Sequence, residues 1–132
     1  MAENIAITWR RIPERYRLEA TMDKETGEVF FPPRNFSPTR RRKAKLEKTT
    51  LCGKGEVFSF TEVNSPPAGL EKTTPYILAI IKLEEGPMLT AQVVETKEGD
   101  VKIGDKVESI FRKIRSDDPE GLIHYGYKFR KV

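Results

Sequence analysis

Cysteine, histidine and long apolar runs are almost missing from this sequence. Its 132 residues include one cysteine, Cys52, and one histidine, His124. A single cysteine excludes an internal disulfide and any cage of cysteine thiolates around a metal. No apolar run approaches the roughly 18 residues that a membrane-crossing helix requires. The longest, Tyr76 to Ile81, has the length of a strand. The opening MAENIAITWRRIPE lacks the apolar core and small-residue cleavage site of a secretory signal. These absences lead us to expect a soluble, cytoplasmic protein with no membrane partner. Catalytic patterns are also missing: there is no glycine-rich phosphate loop, no HExxH and no GxSxG. His124 reads as a rim residue on the polar face of a strand, and Cys52, beside Gly53, as a small buried filler. No nucleophile, base and metal combine, so we expect no enzyme activity and no catalytic residue.

What the sequence has is strand pattern and one basic cluster. At 37% hydrophobic and 33% charged residues the chain is a folded one, sized for one domain with an appendage or two very small modules. The net charge of +4 is local. From Arg34 to Lys48 seven basic residues face one acid, so this segment carries +6 and the remainder −2. Such a cluster meets a phosphate group, an acidic patch on a partner, or solvent.

Ile5, Trp9 and Ile12 stand at helical spacing, and Pro13 limits the helix on its C-terminal side. Burial against the chain's own core is the commoner fate of such a stripe. Residues 17–22 and 28–31 are β-rich and joined by DKETG, where Gly27 supplies a positive φ. Pro32 and Pro33 end the second strand. Residues 35–50 hold little that is apolar beyond Phe36 and Leu46, and read as an extended or weakly helical connector. We therefore place a module boundary there, dividing residues 1–48 from 49–132.

From Leu51 onward the pattern predicts strands over 55–63, 76–83, 88–95, 106–114 and 122–130. In the last, Tyr125, Tyr127 and Phe129 alternate as a core face against His124, Gly126, Lys128 and Arg130. Five antiparallel strands in so few residues bury enough surface only as a barrel, the OB architecture. Gly53 and Gly55 suit its first corner, and the turn at 98–105 replaces the usual helix. The loop Asn64–Pro75, rich in proline and glycine, is long for a hairpin and of the kind that carries function. The expected fold is mainly β: an N-terminal helix, a β-hairpin and a five-stranded OB-fold barrel.

Several motifs resemble one family over nearly the whole chain. They include Trp9-Arg10-x-Ile12-Pro13-x-Arg15-Tyr16-x-Leu18 and Gly27-x-x-Phe30-Phe31-Pro32-Pro33-Arg34. Further along come Gly53-x-Gly55-x-Val57-x-Ser59-Phe60-Thr61, Pro75-Tyr76-x-Leu78-Ala79, Leu83-x-Glu85-Gly86-Pro87, Val101-Lys102-Ile103-Gly104-Asp105-x-Val107 and Tyr125-Gly126-Tyr127-Lys128-Phe129. Together they resemble the zinc-ribbon/OB-fold proteins associated with acyl-CoA enzymes, the domain of unknown function 35. The resemblance implies a rubredoxin-like ribbon before the barrel, with four cysteines holding zinc. At the matching positions this chain has Asp23, Thr26, Ser37 and Arg40, so the ribbon is degenerate and a zinc site is not expected.

The resemblance further implies a non-catalytic helper of thiolase-superfamily enzymes, a hetero-oligomer partner. Archaeal members of the family bridge acetoacetyl-CoA thiolase and hydroxymethylglutaryl-CoA synthase in the mevalonate route of isoprenoid synthesis. On that reading Arg40, Arg41, Arg42 and Lys43 meet coenzyme A phosphates or an acidic partner surface, since arginine's planar fork suits both. Trp9, Tyr16 and Arg34 are the candidate partner contacts. No stably bound cofactor is expected, coenzyme A or an acyl-CoA being the ligand in question. The competing reading is an OB-fold binder of single-stranded nucleic acid, drawn from Tyr125, Tyr127, Phe129 and the basic cluster. Against it, those aromatics alternate like a core face and the barrel strands are not notably basic.

Overall fold

The computed structural model describes residues 4–68, 70–71, 74–97, 99–116 and 120–132. Two short helices, α1 (Ile5–Arg10) and α2 (Ile12–Arg17), open the chain. Asn4 caps α1, its side chain accepting a hydrogen bond from the Ala6 N–H. Pro13 lies in the first turn of α2, where its missing N–H costs nothing. The stripe of Ile5, Trp9 and Ile12 is thus split between two helices. Leu18 then adopts a left-handed conformation (φ 51°) that turns the chain from α2 into the first strand.

The next strands are β1 (Glu19–Asp23), β2 (Val29–Phe30) and β3 (Leu46–Thr50), assembled in the order β2-β1-β3. β3 corrects the connector expected over 35–50. It pairs antiparallel with β1 along its full length, from Glu19–Thr50 to Asp23–Leu46. LEKTT shows no apolar alternation because both its faces remain largely open to solvent, so backbone pairing alone makes it a strand. The boundary drawn after residue 48 falls inside β3.

The barrel comprises β4 (Lys54–Val63), β5 (Tyr76–Leu83), β6 (Met88–Val94), β7 (Lys106–Ser116) and β8 (Ile123–Lys131), all close to their expected limits. It is closed in the order β4-β5-β6-β8-β7. Closure rests on three paired positions between β4 and β7 and on a parallel contact of two, Val93–Phe129 and Val94–Arg130, between β6 and β8. Gly55 stands at the corner, paired to both β5 and β7. A Cβ there would lie 2.5 Å from the Lys82 carbonyl oxygen, so only glycine lets the strands approach this closely.

Val57, Ile81, Leu83, Val107 and Phe129 are fully buried in the barrel. Leu18 and Ala20 belong to the same apolar cluster, with Phe31 and Tyr127 packed against it. The N-terminal segment therefore shares one core with the barrel. Of the loop Asn64–Pro75, residues 69, 72 and 73 lie outside the described residues, as do residue 98 of the expected turn and residues 117–119 between β7 and β8. Among the described residues no helix is long and apolar enough to cross a membrane.

Candidate partner-docking site

The four positions compared with a zinc site hold an ion-pair cluster. Asp23, at the end of β1, is fully buried, and the Arg40 guanidinium donates to both its carboxylate oxygens at 3.0 Å. The same guanidinium donates to Glu25 and to the Lys43 carbonyl. Ser37, also fully buried, accepts from the Arg40 N–H at 3.2 Å, and Thr26 accepts from the Glu28 N–H within the turn. Burial by itself would raise the Asp23 carboxyl. The Glu25 N–H and the Arg40 charge outweigh it and hold the carboxyl below its ordinary range. Arg40 likewise lowers Glu25.

A guanidinium already seated among these side chains opposes a second cation, and none of the four is a thiolate, so they do not fit structural zinc. Among the described residues no group of three or more His, Cys, Asp or Glu side chains is placed to hold a metal.

Arg40 is thus a structural residue rather than a free anion receptor, which corrects its place in the expected cluster. Arg41, Arg42 and Lys43 remain exposed, and their side chains make no ion pair among the described residues. Arg41 has φ 51°, and the Arg41 N–H donates to the Ser37 carbonyl, so a tight turn presents these cations outward. Arg34 is anchored instead. Its N–H donates to the Thr21 hydroxyl and its guanidinium lies 5.5 Å over the Phe30 ring.

The stripe on α1 does not fold onto the chain's own core. Trp9 is 72% exposed, Ile5 71% and Ile7 43%, and α1 buries none of its residues. This corrects the expectation of intramolecular burial. Nearby, Tyr16 meets Phe111 edge-on at 5.0 Å, and Phe111 stacks on Tyr125 at 5.4 Å, all three partly open to solvent. The sequence reading missed this ladder. Lys113 and Tyr125 face each other across β7 and β8, so Phe111 reaches Tyr125 along the diagonal of the ladder.

The strand β8 departs from the expected alternation. Tyr125 is partly exposed, whereas His124 and Lys128 are buried. Cys52 is exposed, not buried: its thiol donates to Glu85 at 3.3 Å and its N–H to Glu85 at 2.7 Å. The Lys54 N–H favours the thiolate, but slight desolvation and the Glu84 and Glu85 carboxylates outweigh it and push the thiol up.

Comparison with known proteins matches this architecture. The family model of the ChsH2 C-terminal OB-fold domain covers residues 48–112. A DUF35 domain-containing scaffold protein of Methanocaldococcus jannaschii is 46% identical over 95% of this chain and 89% of its own. The chain belongs to the DUF35 scaffold-protein family. Relatives of the same description from Methanothermobacter thermautotrophicus and Pyrococcus furiosus are 43% and 42% identical, over 93% and 94% of this DUF35 chain and 92% and 90% of theirs. A chain of the solved Ltp2-ChsH2(DUF35) aldolase superposes with a TM-score of 0.70 at 22% identity, covering 99% of this chain and 96% of that one, which establishes a shared fold. Within the DUF35 fold, then, the exposed α1 face, the aromatic ladder and the outward cations are among the features open to another molecule.

Proposed function

We propose that this chain is a non-catalytic, cytosolic scaffold that docks on thiolase-superfamily enzymes and bridges an acetoacetyl-CoA thiolase to a hydroxymethylglutaryl-CoA synthase. The observation carrying the reading is α1: a helix that buries none of its residues and leaves Trp9 and Ile5 in solvent. An exposed tryptophan is the type of side chain that anchors an interface. The curated relatives are named scaffold proteins, and the structural neighbour is part of an aldolase assembly, both of which support a partner-binding role. Arg41, Arg42 and Lys43 supply the electrostatic part, steering an acidic partner face or holding coenzyme A phosphates at the joint. The test is reconstitution: the purified chain is mixed with the two enzymes and the mass of the assembly is measured. One particle holding all three is expected. Migration of the two enzymes as separate species in its presence would reject the reading.

The aromatic ladder favours a second reading, binding of single-stranded nucleic acid by stacking on Tyr16, Phe111 and Tyr125. Salt-sensitive retention of an oligonucleotide, lost in Phe111→Ala, would support it over the first.

A further inference from the structure

The segment 34–43 is held by polar anchors, yet most of its side chains stand in solvent. Ser37 is fully buried, and the Arg40 guanidinium is clamped between Asp23 and Glu25. At the start of the segment the Arg34 N–H donates to the Thr21 hydroxyl. Between these anchors an isolated β-bridge joins Ser37 to Arg41 and folds the backbone into a knuckle. Phe36 precedes that bridge and Arg42 follows it, so the pairing brings their backbones alongside each other. Phe36 is 57% exposed and belongs neither to the apolar core cluster nor to an aromatic pair among the described residues. Arg41, Arg42 and Lys43 are exposed with it, and residues 34–46 contain no Asp or Glu of their own. Three adjacent cations repel one another, and an exposed ring adds nothing to the fold. The anchors nevertheless fix the backbone of all four residues in advance, which lowers the ordering cost of an interface.

We propose that this knuckle is a second docking surface, on which Phe36 enters an apolar socket of a partner enzyme while Arg41, Arg42 and Lys43 meet acidic residues around its mouth. The inference rests on the scaffold reading and deepens it, since a bridge needs two separate contacts. α1 reaches β1 through α2 at Glu19, whereas the knuckle is clamped at Asp23. The two attachment points therefore lie about 13 Å apart along β1, at about 3.3 Å per residue. Charge complementarity selects the acidic rim, and the single ring selects a protein over a nucleic acid. Single strands of nucleic acid are held by several rings along a groove, whereas one ring on a tight turn fits one socket.

The test immobilises the full chain and measures capture of the thiolase and of the synthase, each alone, at low and at raised salt. Phe36→Ala should weaken capture of one enzyme roughly 30-fold or more, the scale of an interface anchor, and leave the melting curve unchanged. Phe36→Tyr, which keeps the ring, should retain most of the affinity. Arg41→Glu combined with Arg42→Glu should lose the same enzyme, and raised salt should weaken its capture by the wild type. Trp9→Ser should spare that enzyme and lose the other, so either variant prevents the three-component particle. Phe36→Ala capturing both enzymes as tightly as the wild type would overturn the inference and leave the scaffold reading standing. Loss of the same enzyme by Phe36→Ala and Trp9→Ser would do likewise. A wild-type chain that captures neither enzyme would overturn both. Retention of a deoxythymidine oligonucleotide by the wild type, lost in Phe36→Ala, would overturn the inference in favour of a nucleic-acid site. Should Phe36→Ala fail to fold, the double charge reversal decides in its place: unchanged capture of both enzymes overturns the inference.

Discussion

Arg40 satisfies two carboxylates, a carbonyl and, through its backbone N–H, the Ser37 hydroxyl, and so ties the β1–β2 turn to the segment that leads into β3. Removing its side chain leaves the buried Asp23 carboxylate without its cation and held by backbone N–H groups alone, an unfavourable state. Arg40→Met should therefore lower the melting temperature, whereas Arg41→Met and Arg42→Met should leave it nearly unchanged. The pH dependence has a definite sign. Asp23 and Glu25 are held below their ordinary values of 3.8 and 4.5, so their stabilisation is complete above that range and is lost as pH falls through the lower folded-state values. The gap in melting temperature between wild type and Arg40→Met should be full near neutral pH and close as pH falls, starting where the variant's buried Asp23, deprived of its cation, takes up a proton and ending below the lowered wild-type value. A gap that widened in acid would contradict the ion-pair account. Elemental analysis of the purified chain should find no stoichiometric zinc, and a chelator should leave its melting curve unmoved.

At the scale of elements, the corner residue Gly55 gives the sharpest test. Gly55→Ala places a methyl group against the Lys82 carbonyl, and should cost about 1–3 kcal/mol by overpacking, read in thermal or denaturant unfolding. The helix α1 should behave in the opposite way. Trp9→Ser and Ile5→Ser alter exposed side chains and should change stability by less than about 0.5 kcal/mol, yet abolish assembly with the partner enzymes. If both variants assembled normally, the α1 face would not be the dock.

These elements also show how far sequence could be read. Among the barrel strands, β4 was legible from its alternation and β5 from a short, nearly continuous apolar run of strand length. β3 was not, because Leu46–Thr50 is held by hydrogen bonds to β1 and carries no apolar period. The α1 stripe was visible, but whether it meets its own core or another molecule depends on where the helix is placed, which spacing alone does not determine. In β8 the period was correct for Phe129 and failed at His124 and Lys128, since walls from β5 and β6 stand over residues that a two-sided strand would leave wet.

For the molecule as a whole, the motifs that brought Arg40 to Lys43 together as one basic group concealed a division of labour. One cation is spent inside the fold and three face outward. Replacing Arg41, Arg42 and Lys43 together with serine should leave unfolding unchanged and weaken partner assembly. Raised salt should weaken the wild-type assembly in the same way, because exposed charges are screened within about 10 Å at 0.1 M ionic strength. Equal assembly by the triple variant at low salt would mark the cluster as mere solvated surface.

The barrel's two closing contacts are unequal to its other joints. β6 and β8 meet over only two residue pairs, while β7 and β8 pair from Val107–Lys131 to Ser116–Ile123. A zipper with so few teeth separates at lower free energy than its neighbours, and local opening of this kind is read by solvent exchange of backbone hydrogens. Deuterium should therefore enter the amides that point across this seam, one from the pair Val93 and Val94 and one from the pair Phe129 and Arg130, by partial opening, well before the β4–β5 ladder yields through global unfolding.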